Sequence, residues 1–116
     1  MLAFSEGLLL AERAGIDPKL AIDVMTGSPI GSPMLRARAA LVLDLPDEAW
    51  FDVGFMQKDV ALALEAGREL RVPLPSAGAA DGVLTVARAI GYERRDIAAM
   101  YEVLARLTSD PVRSAA

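Results

Sequence analysis

The sequence contains neither cysteine nor histidine. Disulfides, thiolate metal sites and every Ser-His-Asp or Cys-His catalytic arrangement are therefore excluded. Only carboxylates are left as metal ligands, and no group of them has the spacing of a calcium-binding loop. The sequence also lacks a G-x-G-x-x-G segment and a P-loop, so it predicts no dinucleotide site formed by this chain alone.

Positive charge and long apolar runs are scarce as well. Lys and Arg number 12 against 16 Asp and Glu, and the net charge of −4 disfavours nucleic acid as a partner, because phosphates need clustered cations. Charged residues such as Glu6 and Glu12 interrupt the longest early apolar segment, so no membrane span is predicted. The N-terminus lacks the basic start of a signal peptide, and we expect a cytoplasmic chain.

Apolar side chains, in contrast, are in excess. They make up 53% of the 116 residues, and the mean hydropathy is +0.34. A single domain of this size leaves too much surface in water to bury so many of them. We therefore expect a homodimer, a larger homo-oligomer or a neighbouring domain to cover part of this surface.

The periodicity of the apolar residues is helical throughout, which predicts an all-α domain of about six helices. Asp17-Pro18 and Ser32-Pro33 are typical helix starts, and Gly15 and Gly91 are typical residues just after a helix. The predicted helices cover residues 1–14, 18–27, 33–44, 55–70, 76–90 and 96–107. Residues 1–108 are expected to form the domain, and residues 109–116 a frayed tail.

The segment FMQKDVALALEAG, residues 55–67, places Lys58 and Asp59 at the head of a helix that is apolar on nearly every side. Such a helix is usually the central one of its domain. A lysine near the positive end of a helix costs about 0.3–1 kcal/mol, whereas an aspartate there is favourable. Two interpretations stay open: a solvated lysine beside a helix-start acid, or a site for a phosphate or carboxylate formed by Lys58 and the helix start.

Three further polar residues have both an ordinary and a functional interpretation. Ser28 and Ser32 lie in a turn rich in Gly and Pro, where they favour capping chemistry over a hydroxyl that faces a ligand. Asp81 interrupts the apolar pattern of the fifth helix, where we expect it to face solvent or to pair with an arginine such as Arg88, Arg71 or Arg68. A catalytic role for Asp81 is the alternative.

The order of these segments resembles a known family. A helix ending in AERAGID precedes a Gly/Ser turn and SPMLRARA; WFDVGFMQKDVALALEAG and VPLPSAGAADGVLTVARAIGYERRDIAAMYEVL follow. This order is similar to the C-terminal helical domain of the β-hydroxyacid dehydrogenases, the group containing 3-hydroxyisobutyrate dehydrogenase and tartronate semialdehyde reductase. The most specific match is Lys58 to Ala63, KDVALA, which is similar to the family motif K-D-L-G-x-A.

The resemblance implies a fold like the C-terminal domain of 6-phosphogluconate dehydrogenase, and a role within a larger enzyme. In that family an N-terminal Rossmann domain binds NAD or NADP, and the catalytic lysine lies on the helix that joins the two domains. By resemblance, Lys58 and Asp59 are cofactor-binding residues: Lys58 reaches the cofactor, and Asp59 helps to fix the start of its helix. The substrate would be a small hydroxy acid or semialdehyde.

Several departures from the family pattern shape the expectations. The Rossmann domain and the catalytic-lysine motif are absent, so we expect no catalytic residue and no cofactor binding for this chain alone. The first helix has no N-cap residue, as expected of a helix that begins further upstream. Ala61 stands where the family usually has glycine. Imine reductases share this architecture, so the enzyme subgroup stays open. The alternative to an enzyme domain is a stand-alone helical module for self-association or docking.

Overall fold

The computed structural model describes residues 1–108. Every long element in this range is a helix. Asp52 and Asp96 form an isolated antiparallel β-bridge. The helices are α1 (Leu2–Arg13), α2 (Pro18–Gly27), α3 (Pro33–Leu43), α4 (Val53–Leu70), α5 (Pro75–Ala89) and α6 (Met100–Leu107), and a 3₁₀ turn at Ile97–Ala99 precedes α6. The all-α prediction is confirmed, and the predicted tail at residues 109–116 lies outside the described residues.

Helix boundaries follow the local signals that the sequence carries. Asp17 and Ser32 cap α2 and α3, because their side chains accept the backbone N–H groups of Leu20 and Leu35 at 3.2 and 3.1 Å. Gly15 follows α1 with a φ of 90°, a conformation that costs glycine little. As expected, no side chain caps the start of α1.

The described residues form two compact units, and the first comprises Met1–Leu45 with the segment from Ala98 onward. In this unit α1 packs against α2 and α6, and α3 packs against the same two helices. The apolar residues at its centre come from α1, α2, α3 and the 3₁₀ turn: Phe4, Leu8, Ala21, Ala39, Val42 and Ala98.

The second unit, Pro46–Ile97, is built on the contact between α4 and α5. A short connection joins these helices, and Arg71 takes a left-handed conformation there, with a φ of 57°. The Val72 N–H donates to the Gly67 carbonyl at 2.8 Å, which closes the end of α4. Gly67 therefore lies against the segment that follows α4.

The prediction that α4 is a central, wrapped helix is wrong for this chain. Within α4 only Val53 and Gly67 are buried, whereas Leu62 and Leu70 are 56% and 74% exposed. The apolar composition of α4 exceeds what α5 covers, so its remaining apolar face is open to solvent. None of the helices among residues 1–108 has the length and apolar character needed to cross a membrane.

Candidate functional site

A cleft of the second unit lies beside the first two turns of α4 and has a volume of about 590 Å³. Side chains from α4, α5 and the α5–α6 connection line it: Asp52, Gly54, Phe55, Gln57, Lys58, Ala61, Asp81, Arg88, Glu93 and Arg94. Six of these carry charge, three acidic and three basic. A cleft with this lining suits a polar, charged ligand of small to moderate size.

The start of α4 is held by the connection between α5 and α6. The backbone N–H groups of Val53 and Gly54 donate to the carbonyls of Arg95 and Glu93 at 2.9 and 3.0 Å. The next N–H, that of Phe55, donates to Asp52 Oδ1 at 2.8 Å. These N–H groups would be the donors to an anion at a helix start, and protein atoms already satisfy them.

A buried aspartate supports the same region. The Asp96 side chain is fully buried, and its Oδ2 accepts the N–H groups of Trp50 and Phe51 at 2.9 and 3.2 Å. The N–H of Ile97 donates back to the Phe51 carbonyl at 3.0 Å. Asp96 therefore satisfies two backbone donors, and it fixes the chain just before α4.

Lys58 lines the cleft, but it is not at the start of its helix. It is exposed and lies in the second turn of α4, five residues after Val53, where the field of the helix end has largely fallen off. The interpretation in which Lys58 and the free N–H groups of the helix start bind an anion together is therefore wrong. Any attraction for an anion comes from the ammonium group itself.

The pairing of the cleft's charges distinguishes Lys58 from the two arginines. Arg88 Nη2 lies 2.7 Å from Glu93 Oε1, and Arg94 Nε lies 3.8 Å from Asp52 Oδ2. For Lys58, residues 1–108 offer no partner within hydrogen-bonding or ion-pair distance. The cleft thus contains one cation whose charge remains available to a ligand.

Asp59 is exposed and is not among the residues that line the cleft. The start of α4 is capped by Asp52 instead, so the predicted role of Asp59 in fixing that start is wrong. The helix simply begins earlier than its apolar run. A role for Asp59 in binding a cofactor stays a prediction.

The other polar residues noted in the sequence have ordinary structural partners. The Ser28 hydroxyl donates to the Met25 carbonyl at 2.8 Å, and Ser32 caps α3, which confirms the capping interpretation. Asp81 does line the cleft, but its Oδ1 accepts from the Gln57 amide at 3.1 Å where an arginine was expected.

Gln57 is the functional candidate that the sequence did not reveal. Its amide contacts side chains of α5 that lie 24 to 31 residues further along the chain, and no local pattern reports such a contact. The one signal available was its place beside Lys58 in the most specific segment. The sequence pattern predicts where the helices lie along the chain, but it does not predict how α4 is rotated against α5.

Comparison with known proteins gives this cleft its context. Residues 1–104 match the family described as NAD-binding of NADP-dependent 3-hydroxyisobutyrate dehydrogenase. Glyoxylate/succinic semialdehyde reductase 2 of Arabidopsis thaliana is 30% identical over 90% of this chain and 29% of its own length. The cytokine-like nuclear factor N-PAC of Aedes aegypti is 32% identical over 84% of this chain and 17% of its own length.

A solved structure agrees with these matches. The crystal structure of 3-hydroxyisobutyrate dehydrogenase from Salmonella typhimurium superposes with a TM-score of 0.80 and 33% identity, covering 87% of this chain and 35% of that one. The chain thus spans about a third of the length of these relatives, or less. Since the family match covers nearly all of the described residues, the chain belongs to the 3-hydroxyisobutyrate dehydrogenase family of β-hydroxyacid dehydrogenases.

Proposed function

We propose that this chain is the C-terminal substrate-side and dimerisation domain of an NAD(P)-dependent β-hydroxyacid dehydrogenase, and that it is inactive alone. The cleft supports the proposal through one observation: Lys58 carries a charge that no described residue neutralises. An unpaired ammonium in a cleft suits an anionic ligand, and a dinucleotide is one. The family match adds the class of reaction.

In the complete enzyme the nicotinamide would exchange a hydride with the carbon that bears the hydroxyl or carbonyl group of a short acid. Oxidation of the hydroxyl releases a proton, and the group that takes it up is expected outside this chain. The residues of this chain would bind and orient the cofactor and the substrate. Lys58 would contact the cofactor at the domain boundary, and the face of α4 that α5 leaves open would be covered by a partner subunit.

A graft tests this function directly. Residues 1–108 replace the matched region of the Salmonella typhimurium 3-hydroxyisobutyrate dehydrogenase, and reduction of NAD(P) is followed with 3-hydroxyisobutyrate as substrate. We expect hydride transfer by the graft and none by the isolated chain. Turnover by the isolated chain, or an inactive graft that is folded and binds no dinucleotide, would contradict the proposal.

A second candidate is a helical module that docks or self-associates without catalysis. The Aedes aegypti relative favours it, since that protein is named as a nuclear factor and not as a dehydrogenase. Under this alternative, Lys58→Met leaves both self-association and dinucleotide affinity unchanged. Titration of NADPH into the graft, with and without this substitution, separates the two candidates, because only the first predicts weaker binding by the variant.

A further inference from the structure

The amide of Gln57 connects α4 to α5 through three side chains. Gln57 is half-buried and directly precedes Lys58. Its Nε2 donates to Asp81 Oδ1 at 3.1 Å and to Thr85 Oγ1 at 2.8 Å, and its Oε1 accepts from Arg88 Nη1 at 3.2 Å. A carboxylate only accepts and a guanidinium only donates, so these two neighbours admit a single orientation of the amide.

The contacts of Gln57 continue into a closed ring. Arg88 Nη2 donates to Glu93 Oε1 at 2.7 Å, and the Glu93 carbonyl accepts the N–H of Gly54 at 3.0 Å. Gly54 and Gln57 lie on the same helix, three residues apart. We call these four residues, Gly54, Gln57, Arg88 and Glu93, the polar ring. It joins α4, α5 and the connection after α5, and every member lines the cleft.

The ring restricts how α4 can rotate and shift against α5. A Cβ atom at Gly54 would lie 3.2 Å from Glu93 Cγ, so the Glu93 side chain packs closely against α4 at this point. Rotation of α4 would break the Gln57 contacts and would leave its half-buried amide with fewer partners, which is costly, whereas the exposed Arg88 can turn to water. The direction in which the neighbouring Lys58 leaves the helix is thereby fixed.

We propose that Gln57 is a positioning residue, which through the polar ring holds Lys58 toward the cleft so that its ammonium meets the phosphate groups of a dinucleotide. This inference rests on the proposed cofactor contact of Lys58. A lysine side chain loses considerable rotamer freedom when it binds, and a fixed backbone keeps that cost to the side chain alone. Without the Gln57 contacts, α4 is freer to rotate against α5, and this rotation must also be restricted on binding.

The test titrates inorganic pyrophosphate into the graft by calorimetry, and compares variants of which only Lys58→Met changes the net charge. Gln57→Met removes all three side-chain contacts and keeps the length. The exchanged pair Gln57→Glu with Asp81→Asn restores a donor facing an acceptor, because the new amide at position 81 donates to the new carboxylate. Lys58→Met marks binding at the proposed site, and Val103→Ala in α6 serves as a destabilised control.

We expect Gln57→Met to weaken pyrophosphate binding by about fivefold and the exchanged pair to return it to within about twofold of the wild type. Val103→Ala should lower the melting temperature and leave the affinity unchanged. A merely structural role for Gln57 predicts instead that affinity follows the melting temperature in all variants, and that result would overturn the inference.

Two failures are distinguishable. If Lys58→Met weakens pyrophosphate binding by the graft but Gln57→Met has no effect, then the positioning role is refuted and the proposed cofactor contact stands. If Lys58→Met leaves the wild-type affinity unchanged, the proposed contact of Lys58 fails, and the role of Gln57 in serving it fails with it.

Discussion

Alanine substitutions at two helical glycines should change stability in opposite directions. In α4, a Cβ at Gly67 would lie 2.8 Å from Leu74 Cδ1 and 2.9 Å from the Val72 carbonyl oxygen. The leucine can shift, but the carbonyl belongs to backbone that the hydrogen bond from Val72 to Gly67 holds in place. In α5, a Cβ at Gly82 meets no atom of the described residues within 4 Å.

The magnitudes follow from two opposing contributions. Replacing a mid-helix glycine by alanine gains about 1 kcal/mol in helix propensity, whereas overpacking costs about 1–3 kcal/mol. Gly67→Ala should therefore lower the free energy of unfolding by about 1 kcal/mol net, because the backbone contact places it in the middle of the overpacking range. Gly82→Ala gains helix propensity without overpacking, so it should raise the free energy of unfolding by about 0.5–1 kcal/mol.

Urea denaturation followed by circular dichroism measures both changes against the wild type. The transition midpoint should fall for Gly67→Ala and rise for Gly82→Ala, with unchanged slopes. Equal stabilisation by both substitutions would refute the reasoning, since it would mean that the segment after α4 does not press against Gly67. The comparison needs no ligand and does not depend on the proposed function.

Substitutions at three further positions test particular contacts by the same denaturation measurement. Asp96→Ala leaves two backbone N–H groups without their acceptor and should lower the free energy of unfolding by about 2–4 kcal/mol. Asp96→Asn should lower it less, because an acceptor oxygen remains. The exposed control Asp47→Ala should leave it almost unchanged. Arg71→Gly relieves a left-handed backbone conformation and should stabilise the chain by about 1 kcal/mol; a loss of stability would contradict the assigned helix end. Ser32→Ala removes the cap of α3 and should cost about 1 kcal/mol, and an unchanged midpoint would mean that the cap contributes nothing.

Much of the fold was predictable from the sequence because its signals are local. Asp17-Pro18 and Ser32-Pro33 define their helix starts through contacts within three residues, and Gly15 and Gly91 define helix ends through their own backbone angles. The start of α4 was placed two residues late, at residue 55. Its cap, Asp52, lies within an irregular segment whose pairing with the α5–α6 connection spans more than forty residues.

The candidate site was predictable only in part. Family resemblance pointed to Lys58, and the structure places it in a cleft, but the expected help from the helix start is absent because protein atoms occupy those N–H groups. The apolar composition of α4 indicated burial, and the described residues do not supply it. The composition of a helix shows how much apolar surface must be covered, but it does not show whether residues of the same chain cover that surface. The Gln57 contacts depend on the packing of α4 against α5, which no local pattern contains.

The central claim is that Lys58 contacts a dinucleotide, and the affinity of the graft for NADPH tests it most directly. The matched control is Lys19, the other lysine of the chain, which is exposed on α2. Loss of a charge-assisted contact should raise the dissociation constant of NADPH by about tenfold in Lys58→Met and leave it unchanged in Lys19→Met. Equal affinities in the wild-type graft and both variants would contradict the account.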